Sequence, residues 1–337
     1  MESKNSQLSE QNVVELLNAW SFIGASIRPT NLGTVNKTFF VEAQAGKFIL
    51  KVYNDSITTA QIQYEHSLLT YLEKANLSFT VPTPIPTLTD ETLLMVNHHD
   101  SQLRMALLPF ILGQQADRKN IAHTYAVGQA LGELHCALVG FVERQMSQLP
   151  GWGNLYYLHP LVTDPFEIPK SLDLSSTQQQ RVVKVFTKVI EAAPNLYKTL
   201  PVQATHADFV YPNVLLVDNQ VVGVLDFEFA TSDLRLIDYV ATLDHFSRFP
   251  SPQAPRWEFV KAFNTGYTEY ISLSPLEVEA LTLVWLLQQA SCIVYWTGWL
   301  REGKATYQSV VDGVTKMLLL EDWFQDNTVK LLSHFTV

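Results

Sequence analysis

The alternation of apolar and polar residues in the first third of the chain predicts a small sheet with one helix. Residues 38–43 and 47–53 are rich in β-branched and aromatic side chains, and a Gln-Ala-Gly turn separates them. This pattern is typical of a β-hairpin. Residues 93–96 and 105–108 predict two further strands. Between these two pairs, residues 61–74 have leucines at helical spacing, which predicts an amphipathic helix.

Beyond Gly113 the spacing of the apolar residues becomes helical. The sequence Ser-Pro-Leu-Glu at 274–277 has serine at an N-cap, proline in the first turn and glutamate at the capping-box position, which predicts a helix start. One β-rich pair, 214–217 and 221–227, flanks an Asp-Asn-Gln turn and predicts a second hairpin. The predicted helices cover 121–139, 178–193, 274–299 and 306–324.

The length of the chain and the order of its elements predict an α+β fold in two lobes. The chain has 337 residues, which is more than one compact core usually holds. We expect a small β-rich N-terminal lobe over residues 1–107, a hinge over 108–113, and a larger, mainly helical C-terminal lobe over 114–337.

Composition and charge indicate which classes of binding partner are not expected for this protein. Hydrophobic residues make up 47% of the chain and charged residues 17%, which is typical of a globular protein. The formal net charge is −10 and the basic residues form no cluster, so no nucleic-acid partner is expected. The longest strongly apolar run, near 281–287, is short for a membrane-spanning helix, so no membrane partner is expected. The first twelve residues lack an apolar signal core, which favours a cytoplasmic location.

The segment from His206 to Glu228 carries the side chains with the clearest chemical meaning. Asp208 and Asn213 form a D-x-x-x-x-N pattern in a predicted loop. The hairpin that follows would return Asp226 to the open end at which Asn213 lies. An amide oxygen and a carboxylate around one pocket suit Mg²⁺, which binds through one or two such groups plus phosphates. Asp208 would then be free to accept a proton from a substrate hydroxyl.

The alternative interpretation of this segment is a turn without chemistry, because Asp and Asn both favour turns. Four such residues at the required offsets favour catalysis instead. The segment resembles the aminoglycoside phosphotransferase and choline kinase superfamily, which includes a type of homoserine kinase, in its H-x-D-x-x-x-x-N-V-L loop and its G-V-x-D-F strand. The resemblance covers most of the chain and implies a protein-kinase-like fold with ATP and Mg²⁺ as cofactors. It also implies Asp208 as catalytic base and Asn213 and Asp226 as metal ligands.

An acidic residue on a predicted buried helix face supports this resemblance. Glu65 shares its face with leucines three, four and seven residues further on, and an ionised carboxylate there needs a partner. Lys51 ends a predicted strand at the place where the family has its phosphate-contacting lysine. We therefore expect the Lys51–Glu65 pair of kinase folds. A solvated lysine is the alternative.

The resemblance also assigns four nucleotide-binding positions. Gly33 and Asn36 lie in a turn with a single glycine and are expected to neighbour the phosphates. Pro109 and Phe110 lie in the predicted hinge and are expected to line the adenine pocket through their backbone.

Four further positions have expected roles near the catalytic loop. Asp233 and Asp238 match a D-x-x-x-x-D pattern and are expected to brace the loop and to cap the next helix. His135 is expected to be a buried packing residue. For Glu228, a contact with metal or substrate is left open.

These expectations predict an ATP-dependent phosphotransferase that acts on a hydroxyl of a small molecule, an amino alcohol or an amino acid such as homoserine. Aminoglycoside or choline kinase activity is the alternative, and a catalytically inactive nucleotide-binding scaffold is the alternative of a different class. A protein kinase is disfavoured because no D-F-G and no A-P-E follows Asp226. The oligomeric state is left open between monomer and homodimer.

Two features suggest that the acceptor carries an amino group. The segment from Glu228 to Asp244 is rich in acids and could hold an ammonium group. The predicted late helix carries aromatic residues whose faces could contact a cation, namely Trp285, Tyr295, Trp296 and Trp299. The alternative is that these aromatic residues belong to the core.

Overall fold

A computed structural model of the chain describes residues 14–30, 36–98, 101–142, 147, 149–248 and 251–335. The chain divides into two compact units. The first contains the residues up to 76 together with 80–112, and the second contains 77–79, 113–142 and the residues from 147 onward. The boundary after Leu112 falls inside the predicted hinge, 108–113. The predicted limits of the two lobes, 1–107 and 114–337, stay predictions.

The first unit is a five-stranded antiparallel sheet with one long helix. The strand order is β1-β2-β3-β5-β4. The tight turn at residues 44–45 joins β2 to β3 in the predicted hairpin, with Ala43 paired to Gly46. The elements are β1 Ser26–Thr30, β2 Lys37–Ala43, β3 Gly46–Val52, helix α1 Thr59–Glu73, β4 Leu94–His98 and β5 Ser101–Pro109, after a 3₁₀ turn at Leu17–Trp20.

Strand β1 was not predicted, and its sequence explains why. It contains Pro29, which cannot donate a ladder hydrogen bond. Because β1 lies at the edge of the sheet and pairs only with β2, that donor is not needed. Helix α1 begins two residues before its predicted start because Thr58 caps it, accepting a hydrogen bond from Gln61 N at 3.2 Å.

The second unit is mainly helical and carries two small sheets. Strand β10 pairs with β7, and the other sheet has the order β6-β8-β9. The strands are β6 Gln114–Gln115, β7 Val202–Thr205, β8 Val214–Val217, β9 Gln220–Val224 and β10 Thr231–Leu234. The helices are α2 Ile121–Leu138, α3 Ile168–Ser171, α4 Ser176–Thr199, α5 Arg235–Ser247, α6 Trp257–Tyr267, α7 Pro275–Arg301 and α8 Tyr307–Leu332, with 3₁₀ turns at Pro165–Glu167 and Tyr211–Asn213.

The predicted start of α7 is confirmed in atomic detail. Ser274 Oγ accepts from Glu277 N at 3.3 Å, and Glu277 Oε2 accepts from Ser274 N at 2.8 Å. These two bonds form a capping box. Helix α4 runs six residues beyond its predicted end at 193, continuing through Pro194. The buried residue Leu196 extends its apolar face beyond that proline.

Among the described residues, α7 is the one helix that is long and apolar enough to cross a membrane by length and composition. The sequence analysis considered only the apolar run near 281–287, which is short for a membrane-spanning helix, and not the whole length of α7. In the structure, 67% of its most apolar window is buried within the protein. Core helices of soluble proteins pass the same test, so the helix is weak evidence for a membrane segment.

Helices α2 and α6 approach each other closely enough to require glycine. A Cβ added at Gly128 would lie 2.2 Å from Phe263 O, and one added at Gly132 would lie 2.5 Å from Tyr267 O. The close packing brings His135 on α2 next to the Tyr267 side chain. Their Nδ1 and hydroxyl atoms are 3.0 Å apart. This contact supports the loop described next.

Candidate active site

The loop between β7 and β8 holds Asp208 in a closed hydrogen-bonded turn. Asn213 Nδ2 donates to the Asp208 carboxylate at 2.9 Å and to the Asp208 carbonyl at 3.0 Å. The last residue of the D-x-x-x-x-N pattern is therefore bonded back to the first, and these bonds hold the Asp208 carboxylate in a defined position. Asn213 uses its amide nitrogen for these bonds, so its amide oxygen is the atom that it offers to a cation.

Asp238 braces this loop from the first turn of α5. Its carboxylate accepts from His206 N at 2.8 Å and from Ala207 N at 2.9 Å. The bracing matters because Ala207 has a left-handed backbone with φ +61, a conformation that persists only when its surroundings impose it. His135, fully buried as predicted, adds a contact to the same carboxylate at 3.3 Å. The predicted bracing role of Asp238 is confirmed.

Asp233 does not cap the following helix, so that part of the prediction is wrong. The N-cap of α5 is Leu234, which makes no side-chain cap bond. Asp233 instead accepts from Trp152 N at 2.6 Å, from Leu234 N at 2.7 Å and from the Tyr197 hydroxyl. Its carboxylate therefore ties the 150s loop and α4 to β10.

His206 links the Asp208 loop to the segment that carries Asp226. Its Nε2 donates to Leu225 O at 2.9 Å, and its Nδ1 accepts from Asp208 N at 3.2 Å. Burial lowers the pKa of His206, so the ring is neutral and this single tautomer satisfies both bonds. One buried histidine thus sets the spacing between the two acidic segments.

Asp226 lies just beyond the second strand of the hairpin. The predicted strand reached 227, but β9 ends at Val224. Leu225 N donates to Asn213 O at 2.8 Å, and Asp226 has a left-handed backbone with φ +62. The chain turns out of the ladder there, which ends the strand. The prediction that the hairpin returns Asp226 to the level of Asn213 agrees with this bond.

The electrostatics of the loop indicate a site that is short of positive charge. Burial, and after it the charge of Asp226, raise the pKa of Asp208 to about 8, although the hydrogen bond from Asn213 acts to lower it. Glu228 and Asp238 add smaller repulsions. Several carboxylates therefore share one poorly solvated region, which favours a bound cation.

The donor set in this region fits Mg²⁺. Asp226 offers a carboxylate and Asn213 an amide oxygen, the hard ligands that this ion prefers. Within the described part of the chain, no group of three or more His, Cys, Asp or Glu side chains could hold a metal by itself. A kinase-type Mg²⁺ takes the rest of its coordination from phosphates and water, so two protein ligands are consistent with that absence.

The first unit contains the expected buried ion pair. Lys51 Nζ lies 3.1 Å from Glu65 Oε1, and both side chains are almost fully buried. The sequence analysis did not single out Tyr53 and His66, whose hydroxyl and Nε2 atoms lie 2.9 Å apart next to this pair. The available signal was the two-residue spacing of Lys51 and Tyr53, which places both on one face of the strand.

Three of the four expected nucleotide positions lie among the described residues; Gly33 lies outside them. Asn36 Oδ1 accepts from Asn54 N at 2.9 Å, so it supports the turn after β3. Pro109 ends β5, and Phe110 N donates to Lys47 O at 3.1 Å. The roles of these residues in binding phosphates and adenine stay predictions.

The aromatic residues of α7 divide into core and site-facing groups. Trp285 is fully buried, and its indole donates to Asp244 at 2.8 Å, so a cation contact is wrong for this residue. Tyr295 is only half-buried. Burial raises its pKa, with further contributions from the charges of Glu228 and Asp208. Its ring lies 5.1 Å from that of Trp299, centroid to centroid. Its ring also lies 5.9 Å from that of Phe229, which places Tyr295 beside the segment that follows Asp226.

Comparisons with known proteins agree with the fold described above. The homoserine kinase of Caulobacter vibrioides is 26% identical over 255 residues, covering 75% of this chain and 75% of that protein. A microcompartment-associated aminopropanol kinase has the same fold, with a TM-score of 0.73 at 16% identity over 96% of this chain and 100% of that one. Choline kinase from Cryptosporidium parvum gives a TM-score of 0.65 at 13% identity over 97% and 100%. The fold is thus the predicted protein-kinase-like α+β fold.

The family assignment rests on a match over most of the chain and not on a single motif. The family model for APH, described as the phosphotransferase enzyme family, matches residues 26–273. That range includes Lys51, Glu65, Asp208, Asn213 and Asp226. The chain belongs to the APH phosphotransferase enzyme family and is a small-molecule kinase.

Proposed function

We propose that this kinase transfers the γ-phosphate of ATP to the hydroxyl of a small amino alcohol or amino acid, with homoserine as the first candidate. The observation that carries the proposal is the half-buried Tyr295, whose ring centroid lies 5.9 Å from that of Phe229, the residue that follows the buried Glu228 in the chain. An acid and an aromatic face next to the proposed base suit an ammonium group. The relatives named homoserine kinase at 24–27% identity point to the same class of acceptor.

Roles in binding ATP and Mg²⁺ are proposed for the residues that the resemblance singled out. In the first unit, the Lys51 ammonium, oriented by Glu65, would neutralise phosphate oxygens. In the second, Asn213 and Asp226 would hold Mg²⁺. Gly33, Asn36, Pro109 and Phe110 are proposed neighbours of the nucleotide. Bound Mg²⁺·ATP supplies the transferable phosphoryl group and offsets its negative charge. We also propose a cytoplasmic location and action as a monomer or homodimer.

Asp208 would orient the acceptor hydroxyl and take its proton. Its carboxylate is held by Asn213 at 2.9 Å, and the loop is braced by Asp238, so it would need little reorganisation during transfer. A pKa near 8 makes the carboxylate a stronger base than an exposed aspartate. Mg²⁺ bound at Asp226 would offset one of the charges that raise this pKa, so loading the site would lower the pKa of Asp208.

The proposal is tested by an acceptor screen with purified protein, Mg²⁺ and ATP. Homoserine, choline, ethanolamine, aminopropanol and aminoglycosides would be compared with neutral polyols of matched size. We expect transfer to an aminated acceptor, and transfer to uncharged sugars alone would refute the acceptor class but not the kinase activity.

Asp208→Ala should lower kcat by about 10²–10⁴-fold, whereas Asp326→Ala, at an exposed aspartate of α8, should not. ATP turnover that is absent with every acceptor would favour an inactive scaffold.

A further inference from the structure

Two neighbouring contacts join strand β3 to helix α1 in the first unit. One is the ion pair between Lys51 Nζ and Glu65 Oε1 at 3.1 Å. The other joins the Tyr53 hydroxyl to His66 Nε2 at 2.9 Å. All four residues are buried, with no more than 6% of the surface of any of them exposed. Lys51 near the end of β3 and Tyr53 just beyond it therefore meet consecutive residues of the helix.

The histidine is held at its far edge as well. The Thr92 hydroxyl lies 2.9 Å from His66 Nδ1, so both ring nitrogens have hydroxyl partners. Burial and the nearby charge of Lys51 lower the pKa of His66 to about 3, so the ring is neutral, with one nitrogen donating and the other accepting. Two hydrogen bonds at opposite edges fix the plane of the ring.

This histidine acts on the lysine through the ring of Tyr53. Lys51 Nζ lies 5.0 Å from the centroid of that ring, within the range of a cation–π contact. A lysine side chain has four flexible bonds, so the ion pair with Glu65 does not by itself fix the direction of the side chain. The tyrosine ring restricts the movement of the ammonium on one side, and a hydrogen bond with His66 holds the ring in place.

The two contacts together also restrict the helix. Residues 65 and 66 are neighbours on α1, so their side chains leave the helix axis about 100° apart. Contacts in two directions fix the rotation of the helix as well as its distance from β3. An apolar pair in place of Tyr53 and His66 would fill similar space without the cost of burying polar atoms. Packing alone therefore does not account for the polar pair.

We propose that His66 is a positioning residue for Lys51. Through Tyr53 and Thr92 it fixes the tyrosine ring and the rotation of α1, and so holds the lysine ammonium in the place where it meets nucleotide phosphates. The inference rests on the proposed role of Lys51 in nucleotide binding.

The test removes single hydroxyl groups and leaves the shape of the unit intact. Tyr53→Phe and Thr92→Val each remove one partner of His66. The affinity for Mg²⁺·AMP-PNP would be measured by calorimetry, together with kcat/KM for ATP, in the natural protein and in Lys51→Ala. We expect Tyr53→Phe to weaken nucleotide binding about fivefold, the worth of one hydrogen bond. It should have no further effect once Lys51 is absent.

A matched control is available in the same unit. Trp20 is buried and donates to Ile85 O at 2.8 Å, so Trp20→Phe also removes one buried hydrogen bond. It should lower the melting temperature and leave nucleotide affinity unchanged.

The outcomes separate the inference from the function on which it rests. An equal loss for Tyr53→Phe with and without Lys51 would mean that the pair only stabilises the unit. If Lys51→Ala weakens binding but neither hydroxyl variant does, the positioning role of His66 alone fails. If Lys51→Ala binds the nucleotide normally, the proposed role of the lysine fails, and the positioning role fails with it.

Discussion

Replacing Asp208 with asparagine is expected to stabilise the protein while it abolishes phosphoryl transfer. The carboxylate is buried and lies close to the charges of Asp226 and Glu228, which together with burial raise its pKa from 3.8 to about 8. An amide of the same shape removes the charge and keeps an oxygen for the hydrogen bond from Asn213. The residue that we propose as the base is therefore expected to destabilise the fold, as often occurs in active sites.

The magnitude follows from the difference between the two pKa values. Because the pKa of Asp208 is raised in the folded state, its stability contribution is fully present below about pH 4 and is lost as the pH rises towards 8. Each pH unit in that window costs about 1.4 kcal/mol, because the folded state holds a proton that the unfolded state has released. The whole window corresponds to roughly 6 kcal/mol, and even half of this exceeds the effect of a typical point substitution, about 1 kcal/mol.

The assay compares the natural protein with Asp208→Asn across the pH range. Urea unfolding would be followed by tryptophan fluorescence, because six of the seven tryptophans lie in the second unit with Asp208. From about pH 5.5 to pH 7.5 the variant should gain about 3 kcal/mol in free energy of unfolding relative to the natural protein. The titration of Asp233, whose pKa burial raises to about 6, is common to both proteins and cancels. A difference that does not change with pH would show that Asp208 is not desolvated as described, and retained turnover would remove it as the base.

Three further outcomes are expected from other substitutions. Asp226→Asn should raise the Mg²⁺ concentration for half-maximal activity by on the order of tenfold or more; an unchanged Mg²⁺ response, measured by titration, would exclude it as a ligand. Lys51→Ala and Glu65→Ala should be strongly non-additive in kcat/KM for ATP, because either change breaks the same buried pair; strict additivity in the double-mutant cycle would contradict this. Glu228→Gln should raise the KM of an aminated acceptor by roughly tenfold and leave that of ATP unchanged; equal changes in both would argue against an ammonium contact.

Local chemistry explains why several elements could be read from the sequence. The β2–β3 hairpin depends on adjacent residues and a short turn. The start of α7 depends on Ser274 and Glu277, three residues apart. The Lys51–Glu65 pair also followed from sequence, because an acid on an apolar helix face has few other ways to be satisfied. These features are set by neighbours along the chain or by a strong desolvation penalty.

Other features were decided by residues far apart in the chain. Asp233 was expected to cap α5, yet it binds Trp152 and Tyr197, which lie 81 and 36 residues away. Strand β9 ends at Val224 because the backbone becomes left-handed at Asp226, a turn that no local propensity encodes. The contact of His66 with Thr92 spans 26 residues and has no periodic signal.

The candidate functional residues also have some features that are set by the local sequence and others that are set by distant parts of the chain. The sequence alone determined which residues could act: a loop with Asp208 and Asn213, an acid at 226, and a lysine at the end of a strand. Only the tertiary structure decided the properties of those residues. The raised pKa of Asp208 comes from burial and from charges that other segments bring close, and the left-handed turn at Ala207 is held by Asp238 on the following helix. Desolvation and long-range hydrogen bonds depend on the packing of the whole unit, so they have no local pattern in the sequence.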